Sequence, residues 1–203
     1  MVLHHSHREG GFSLIELLIG LAIMAVLMRL ASPQYAAWVG NQKIRGAAES
    51  VYNGLQVARQ ESVRRNARVL FSLTDAAGSA TWRICPVATG ALTCDATQPL
   101  IQTRDGTEET GIAKVGASTA AATILPGAFG AALAPAAGMP ASVMFDSVGR
   151  TVVAAGQANA VRFDFRNTQL PSADERRMVV VVTPAGSPRL CDPQSPAGNP
   201  RAC

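Results

Sequence analysis

Glu16 stands inside an otherwise apolar run and makes the strongest chemical demand in this 203-residue sequence. From Phe12 to Ala31 only Glu16 and Arg29 carry charge. At helical rise that run covers about 30 Å, the thickness of a bilayer's hydrocarbon core. A lone carboxylate in lipid costs a few kcal/mol, so something must offset it. The nearest candidate cation is a free amino group at Phe12, which exists only if the chain is cut between Gly11 and Phe12. A secretory leader would carry its small-residue cleavage site after the apolar core, whereas Gly10-Gly11 comes before it. The chemistry expected here is therefore done to the chain: a peptide bond is cut, and Glu16 then pairs with an ammonium, that of a neighbouring copy. Processing followed by assembly is the reading.

Other reactive side chains are few. His4, His5 and His7 form a short tract of metal-binding type, but all lie before the cut, and the mature chain would hold no histidine. That removes His-based acid–base and Cys–His mechanisms. Cys85, Cys94, Cys191 and Cys203 all follow the apolar run. An even count in an oxidising compartment reads as disulfides. Three connectivities are formally open; the expected pairs are Cys85 with Cys94 and Cys191 with Cys203, each closing a short local loop. Their spacings fit no common zinc pattern. Asp146 beside Gly149, and Asp164 between Phe163 and Phe165, read as turn or strand-face residues. No nucleophile–base set or phosphate-cradling loop is visible, so neither an enzyme nor a cofactor is expected. The net charge of +4 survives removal of residues 1–11, where Arg8 and Glu9 cancel. A basic balance permits anionic partners without requiring one.

The elements that position these groups can be read from periodicity. After Ala31, Pro33 should bend a helix by removing one backbone bond. An amphipathic helix then resumes, with Ile44, Ala48, Val51, Leu55, Ala58 and Ser62 on one stripe and an end near Arg65. Gly40, Gly46 and Gly54 read as its weak points. Residues 68–74 and 80–85 suggest a hairpin, and a short strand is expected near 99–103 within the loop-like stretch 88–111. Residues 119–124 suggest another strand, and the Ala/Gly/Pro run 127–140 a linker. Residues 141–145 and 151–154 flank an Asp146–Arg150 turn. Residues 160–166 alternate as a half-buried strand, and 177–183 suit a central one. Residues 184–188 turn the chain into the last cysteine loop.

Gly11-Phe12-Ser13-Leu14-Ile15-Glu16 resembles the type III leader of type IV pilins and type II secretion pseudopilins. That resemblance implies a prepilin peptidase site after Gly11, an N-methylated Phe12, a glutamate at the fifth mature position for assembly, and a helix-bending proline at Pro33. Residues 56–69, Phe145-Asp-Ser-Val-Gly-Arg150 and Val182-Thr-Pro-Ala-Gly-Ser-Pro-Arg-Leu-Cys191 resemble segments of the GspH/FimT branch. They imply an α+β pilin-like fold, a long N-terminal helix packed on antiparallel β-sheet with disulfide-closed loops. The expected layout is a cleaved leader at 1–11, a transmembrane and filament-core helix at 12–32, an amphipathic helix at 33–66 and a periplasmic β-rich domain at 67–203.

The expected function is a minor structural subunit of a type IV pilus or a type II secretion pseudopilus. Its partners would be prepilin peptidase, other pilins or pseudopilins, and the inner membrane. It would cross that membrane once, N-terminus cytoplasmic and C-terminal domain periplasmic, and sit near the filament tip after assembly. An alternative reading makes it a DNA-binding minor pilin for natural transformation. Some members of the branch bind DNA through Gly-Arg-x-Arg; here the motif falls on Gly186-Ser187-Pro188-Arg189 and lacks its first arginine. Arg176, Arg177 and Arg201 would supply further charge.

Overall fold

The computed structural model describes residues 13–87, 94, 99–106, 112–153, 159–196 and 198–203. The leader residues, Gly11 and Phe12 therefore lie outside the described residues. Helix α1 spans Leu14–Arg65, and the chain divides into two units, one through Ala36 and one from Ala37 to Cys203. In the first unit α1 is apolar and exposed all round. Among the described residues no single helix is long and apolar enough to cross a membrane. By length and composition, Leu14–Leu30 together with Gln34–Arg65 qualify, with a break at residues 31–33, where Pro33 lies.

In the second unit the helix becomes one-sided, and the sequence explains why. Ile44, Ala48, Val51, Leu55, Ala58 and Ser62, the stripe expected from spacing, are all fully buried. Ser62 is accommodated there because its hydroxyl donates to the Arg59 carbonyl at 2.7 Å. Gly54 corrects the expectation of a weak point. A Cβ there would lie 2.7 Å from the Phe71 ring and 3.1 Å from Trp82, so glycine lets the sheet approach the helix. Trp82 uses that space: it is buried, and its indole N–H donates to the Ser50 hydroxyl at 2.9 Å. Gly40 is likewise a close-approach site, against Leu170 and Asn167.

Two four-stranded antiparallel sheets meet the helix in one core. The first has β1 (Val69–Leu73), β2 (Trp82–Pro86), β3 (Gln102–Arg104) and β5 (Ala141–Phe145), in the order β3-β2-β1-β5. The second has β4 (Lys114–Ser118), β6 (Arg162–Arg166), β7 (Met178–Val182) and β8 (Pro188–Cys191), in the order β4-β6-β7-β8. The β1–β2 turn is locked by Asp75, which accepts from the N–H groups of Ala77 and Ser79. The Ser79 hydroxyl and then those backbone donors hold its carboxyl below the usual range.

Several elements differ from expectation. Residues 119–124 were expected as a strand, but Ala121–Ile124 is a 3-10 turn and the strand lies earlier, at Lys114–Ser118. A Cβ on Gly116 within that strand would strike the Ala134 carbonyl, so the segment over it packs too closely for a larger residue. That segment, 127–140, is folded onto the second sheet and is not a linker. Phe129 stacks over the Arg162 guanidinium at 5.1 Å. Thr151 bridges Phe145 and the Val152 N–H donates to the Met144 carbonyl at 2.9 Å, but among the described residues no strand forms at 151–153; residues 154–158 lie outside them. The turn at 184–188 leads into an additional strand, β8.

Strand β6 is buried on both faces, not half-buried. Phe163 and Phe165 enter the core, while Arg162 and Asp164 on the other face are covered as well. Asp164 accepts a two-pronged contact from Arg162, Nε at 2.6 Å and Nη2 at 2.9 Å, and a third from Arg177 Nη1 at 2.8 Å. Arg162 also donates to the carbonyls of Thr123, Ala128 and Ala131, and Arg177 to that of Phe129. Two guanidiniums on one carboxylate leave excess positive charge, which these carbonyl dipoles offset. The network fastens residues 123–133 to the sheet. Alternation in the sequence reported the strand correctly but not which polar side chains would be buried.

Both disulfides are present, Cys85–Cys94 and Cys191–Cys203. The second packs with Val179, Val181 and Phe129 on the outer face of β7.

Candidate assembly segment and basic C-terminal face

The first site is the start of α1. Leu14, Ile15, Leu17, Leu18, Ile19 and Leu21 are each more than half exposed, between 53 and 78%. The apolar side chains continue in this state to Leu30. Such a patch on a single chain is an interaction surface, because water exposure of that much hydrocarbon is unfavourable. Glu16 sits one turn in. The Ser13 N–H donates to Glu16 Oε2 at 3.4 Å, and the Glu16 N–H donates to Ser13 Oγ at 3.3 Å. This is a capping box: two backbone donors at the helix start are satisfied reciprocally. The Ser-x-x-Glu spacing was there to be read in the sequence and was missed. Neither contact neutralises the carboxylate, so its charge still lacks a cation within the described residues.

A second constellation lies where three distant segments meet. Arg59, on the last turns of α1, donates through Nε to the Gly149 carbonyl at 3.1 Å and through Nη1 to Ser187 Oγ at 3.4 Å. Asp146 closes the first turn by accepting from the N–H groups of Val148 and Arg150. Thr151 N–H and hydroxyl donate to the Pro184 carbonyl of the second. Gly149 and Gly186 both have φ near +78°. A Cβ on Gly186 would overlap the Gly149 carbonyl, so glycine is required both for the turn and for the contact. Arg59 is thus a tie between helix end and two turns. Beside it, Glu61 accepts from Arg64 at 2.6 Å and Arg65 at 2.7 Å. Arg64, then Arg65, draw its carboxyl down to about 2. The basic helix end is largely paired internally.

The third region is the C-terminal basic face. Arg176, Arg189 and Arg201 are exposed, as a binding role would need. Arg177 is not. It is 8% exposed and committed to Asp164 and the Phe129 carbonyl, which corrects its assignment as a DNA contact. Arg189 donates to the Ala202 carbonyl at 2.7 Å. Arg176 and Arg201 line a groove, whereas Arg189 does not. Among the described residues no group of histidine, cysteine and carboxylate side chains could hold a metal ion.

A family model described as type II transport protein GspH matches residues 47–186, more than half of the chain. The chain belongs to the GspH/FimT family of pilin-like proteins. A second model, the prokaryotic N-terminal methylation motif, matches residues 6–28. The GspH match takes in Arg59, Gly149 and Gly186, and Ser187 lies one residue beyond it. Among solved structures, two crystal forms of the type IV minor pilin FimU of Pseudomonas aeruginosa PAO1 are similar. The P21 form is 19% identical, covers 76% of this chain and 95% of its own, and has a TM-score of 0.47. The P65 form is 20% identical, covers 74% and 98%, and has a TM-score of 0.44. No curated protein matches.

Proposed function

We propose that this chain is a minor structural subunit of a type IV pilus or a type II secretion pseudopilus. It is made as a precursor, cut by prepilin peptidase between Gly11 and Phe12, methylated at Phe12, and held in the inner membrane by its first helix with the β-rich domain in the periplasm. On extraction into a filament the apolar surface of α1 exchanges lipid for neighbouring helices, and Pro33 supplies the bend that lets the segment pack. Burial at roughly 25 cal/mol per Å² favours that exchange only when the packing is close. Glu16 sets axial register by pairing with the amino terminus of a neighbouring copy, because an unpaired carboxylate in that core is heavily penalised. The observation that carries this reading is the exposed hydrocarbon from Leu14 to Leu30 with a charged group near its start. The subunit sits near the tip with other minor pilins, as a building block and not an enzyme.

The test is the precursor. Replacing Gly11 with a bulky residue is expected to leave an uncut chain in the inner membrane, seen by mass spectrometry as a product retaining Met1. Normal maturation would contradict the assignment.

DNA capture is the second reading, supported by the exposure of Arg176, Arg189 and Arg201 on the C-terminal half. It is weakened by the loss of Arg177 to the interior and by Ser187 standing where the family motif carries its first arginine. Phosphate contacts would make binding steeply salt-dependent, which filter binding of the wild type and Arg189→Ala at two salt concentrations measures.

A further inference from the structure

The groove that holds Arg176 and Arg201 has a composition that neither assembly through α1 nor phosphate binding uses. Its volume is about 410 Å³, and it is bounded by Asn41, Gln42 and Arg45 of α1 on one side and by β7, β8 and the C-terminal tail on the other. Its floor is apolar, formed by Met178, Leu190 and Cys191 of the second disulfide. The walls are cationic. Arg45 is paired with Glu49 at 2.8 Å, but the guanidiniums of Arg176 and Arg201 have no partner among the described residues.

Both unpaired arginines are held by their backbones. The Arg176 N–H donates to Asn41 Oδ1 at 2.8 Å, and Asn41 Nδ2 donates to the Asp174 carbonyl at 2.8 Å, so the helix fixes that stretch. The Arg201 carbonyl accepts from the Asp192 N–H at 2.7 Å, and the disulfide at Cys203 anchors the tail two residues later. Asp192 is the acid of the lining, and it is turned to local use. One oxygen accepts from the Gln194 N–H at 2.8 Å, the other from the Ser195 hydroxyl at 3.2 Å. With Arg45 paired to Glu49, Arg176 and Arg201 against that one aspartate leave the groove positive.

We infer that this groove is a docking site for an acidic peptide segment of another protein, one that places an apolar side chain on the floor and carboxylates on Arg176 and Arg201. Carboxylate on guanidinium is the pairing these two forks are shaped for. A nucleic acid strand has phosphates but offers only sugar carbons and thymine methyls, no branched aliphatic side chain, to a floor of thioether, leucine and disulfide. The described lining also lacks the aromatic rings on which bases stack. Seven of the nine lining residues fall outside 47–186, so the site is built largely from parts of the chain beyond the GspH match. The inference is independent of filament assembly, because the groove belongs to the single subunit.

The test uses the full-length protein in a neutral detergent and a labelled, end-blocked peptide of Glu-Leu-Glu repeated three times. Saturable binding read by fluorescence anisotropy is expected. It should weaken by about tenfold or more when glutamates become glutamines, when leucines become serines, and in the Arg176→Gln/Arg201→Gln variant. Arg83→Gln, an exposed position on β2 of the first sheet and away from the groove, should leave it unchanged. The two peptide controls keep the test decisive even if the double variant fails to fold. The inference is overturned by an absence of saturable binding, by equal binding of the serine peptide, by equal weakening in Arg83→Gln, or by a single-stranded oligonucleotide of matched length displacing the peptide with equal affinity.

Discussion

Glu16 and Asp164 are both carboxylates set among apolar side chains, and they are treated in opposite ways. Asp164 is fully buried and receives two guanidiniums and the Leu133 N–H at 2.9 Å, all from its own chain. Glu16 lies on a helix of exposed hydrocarbon, and its described partner is the serine of its own helix cap. The folded unit solves its electrostatics internally. The first unit leaves both its apolar surface and its charge to be satisfied by something outside the chain. A carboxylate of the first kind is a matter of stability, and one of the second kind is, under the proposed function, a matter of assembly.

Mutation should separate the two kinds. Asp164→Ala would leave two buried guanidiniums without a counter-ion, and the expected loss is about 3–5 kcal/mol. Thermal unfolding of the full chain in detergent should show it as a large drop in Tm or as failure to fold. Glu16→Ala in the same measurement should leave the unfolding of the second unit unchanged, and a comparable drop there would erase the distinction. The Cys191→Ser/Cys203→Ser pair tests a covalent staple of the same face as Asp164. Closing a short loop is worth about 2–4 kcal/mol, so its Tm should fall less than that of Asp164→Ala.

Glu61 gives the smallest effect and a sign that can be checked. Its carboxyl is drawn from 4.5 down to about 2 by Arg64 and Arg65, so the folded state holds its proton less tightly than the unfolded one. The stability it adds is present above pH 4.5 and is lost as the pH falls through about 2. Because the pair stands at the surface, its worth is below about 1 kcal/mol. Glu61→Gln should therefore lower Tm slightly at pH 7 and not at pH 2, where an undiminished difference would point to another origin.

The parts of this molecule legible in the sequence are those set by periodic burial. The stripe from Ile44 to Ser62 faces the core as its spacing indicated, and the helix ends at Arg65. The two local disulfides follow from loop length. What escaped reading depends on contacts distant in sequence. Gly54 looks like a helix defect until Phe71 and Trp82 are placed against it. Asp164 looks like an exposed strand residue until residues 123–133 fold over it and Arg177 arrives from the neighbouring strand. Arg177 itself looked like surface charge because it follows Arg176, yet successive residues point to opposite sides of extended chain. The capping box at Ser13 and Glu16 is local and readable from its Ser-x-x-Glu spacing, although the demand of Glu16 for a cation points first to a partner outside the helix. The groove at Arg176 and Arg201 has no sequence signature, since its walls come from residues 41, 42, 45, 176, 178, 190–192 and 201.

The account rests on Glu16 being satisfied by another copy. The direct measurement is to express tagged Glu16→Ala beside the remaining pilins and compare its amount in sheared filaments with its amount in the inner membrane. The account predicts a processed, membrane-resident chain that is depleted from filaments relative to tagged wild type. Equal incorporation of the variant and the wild type would contradict it.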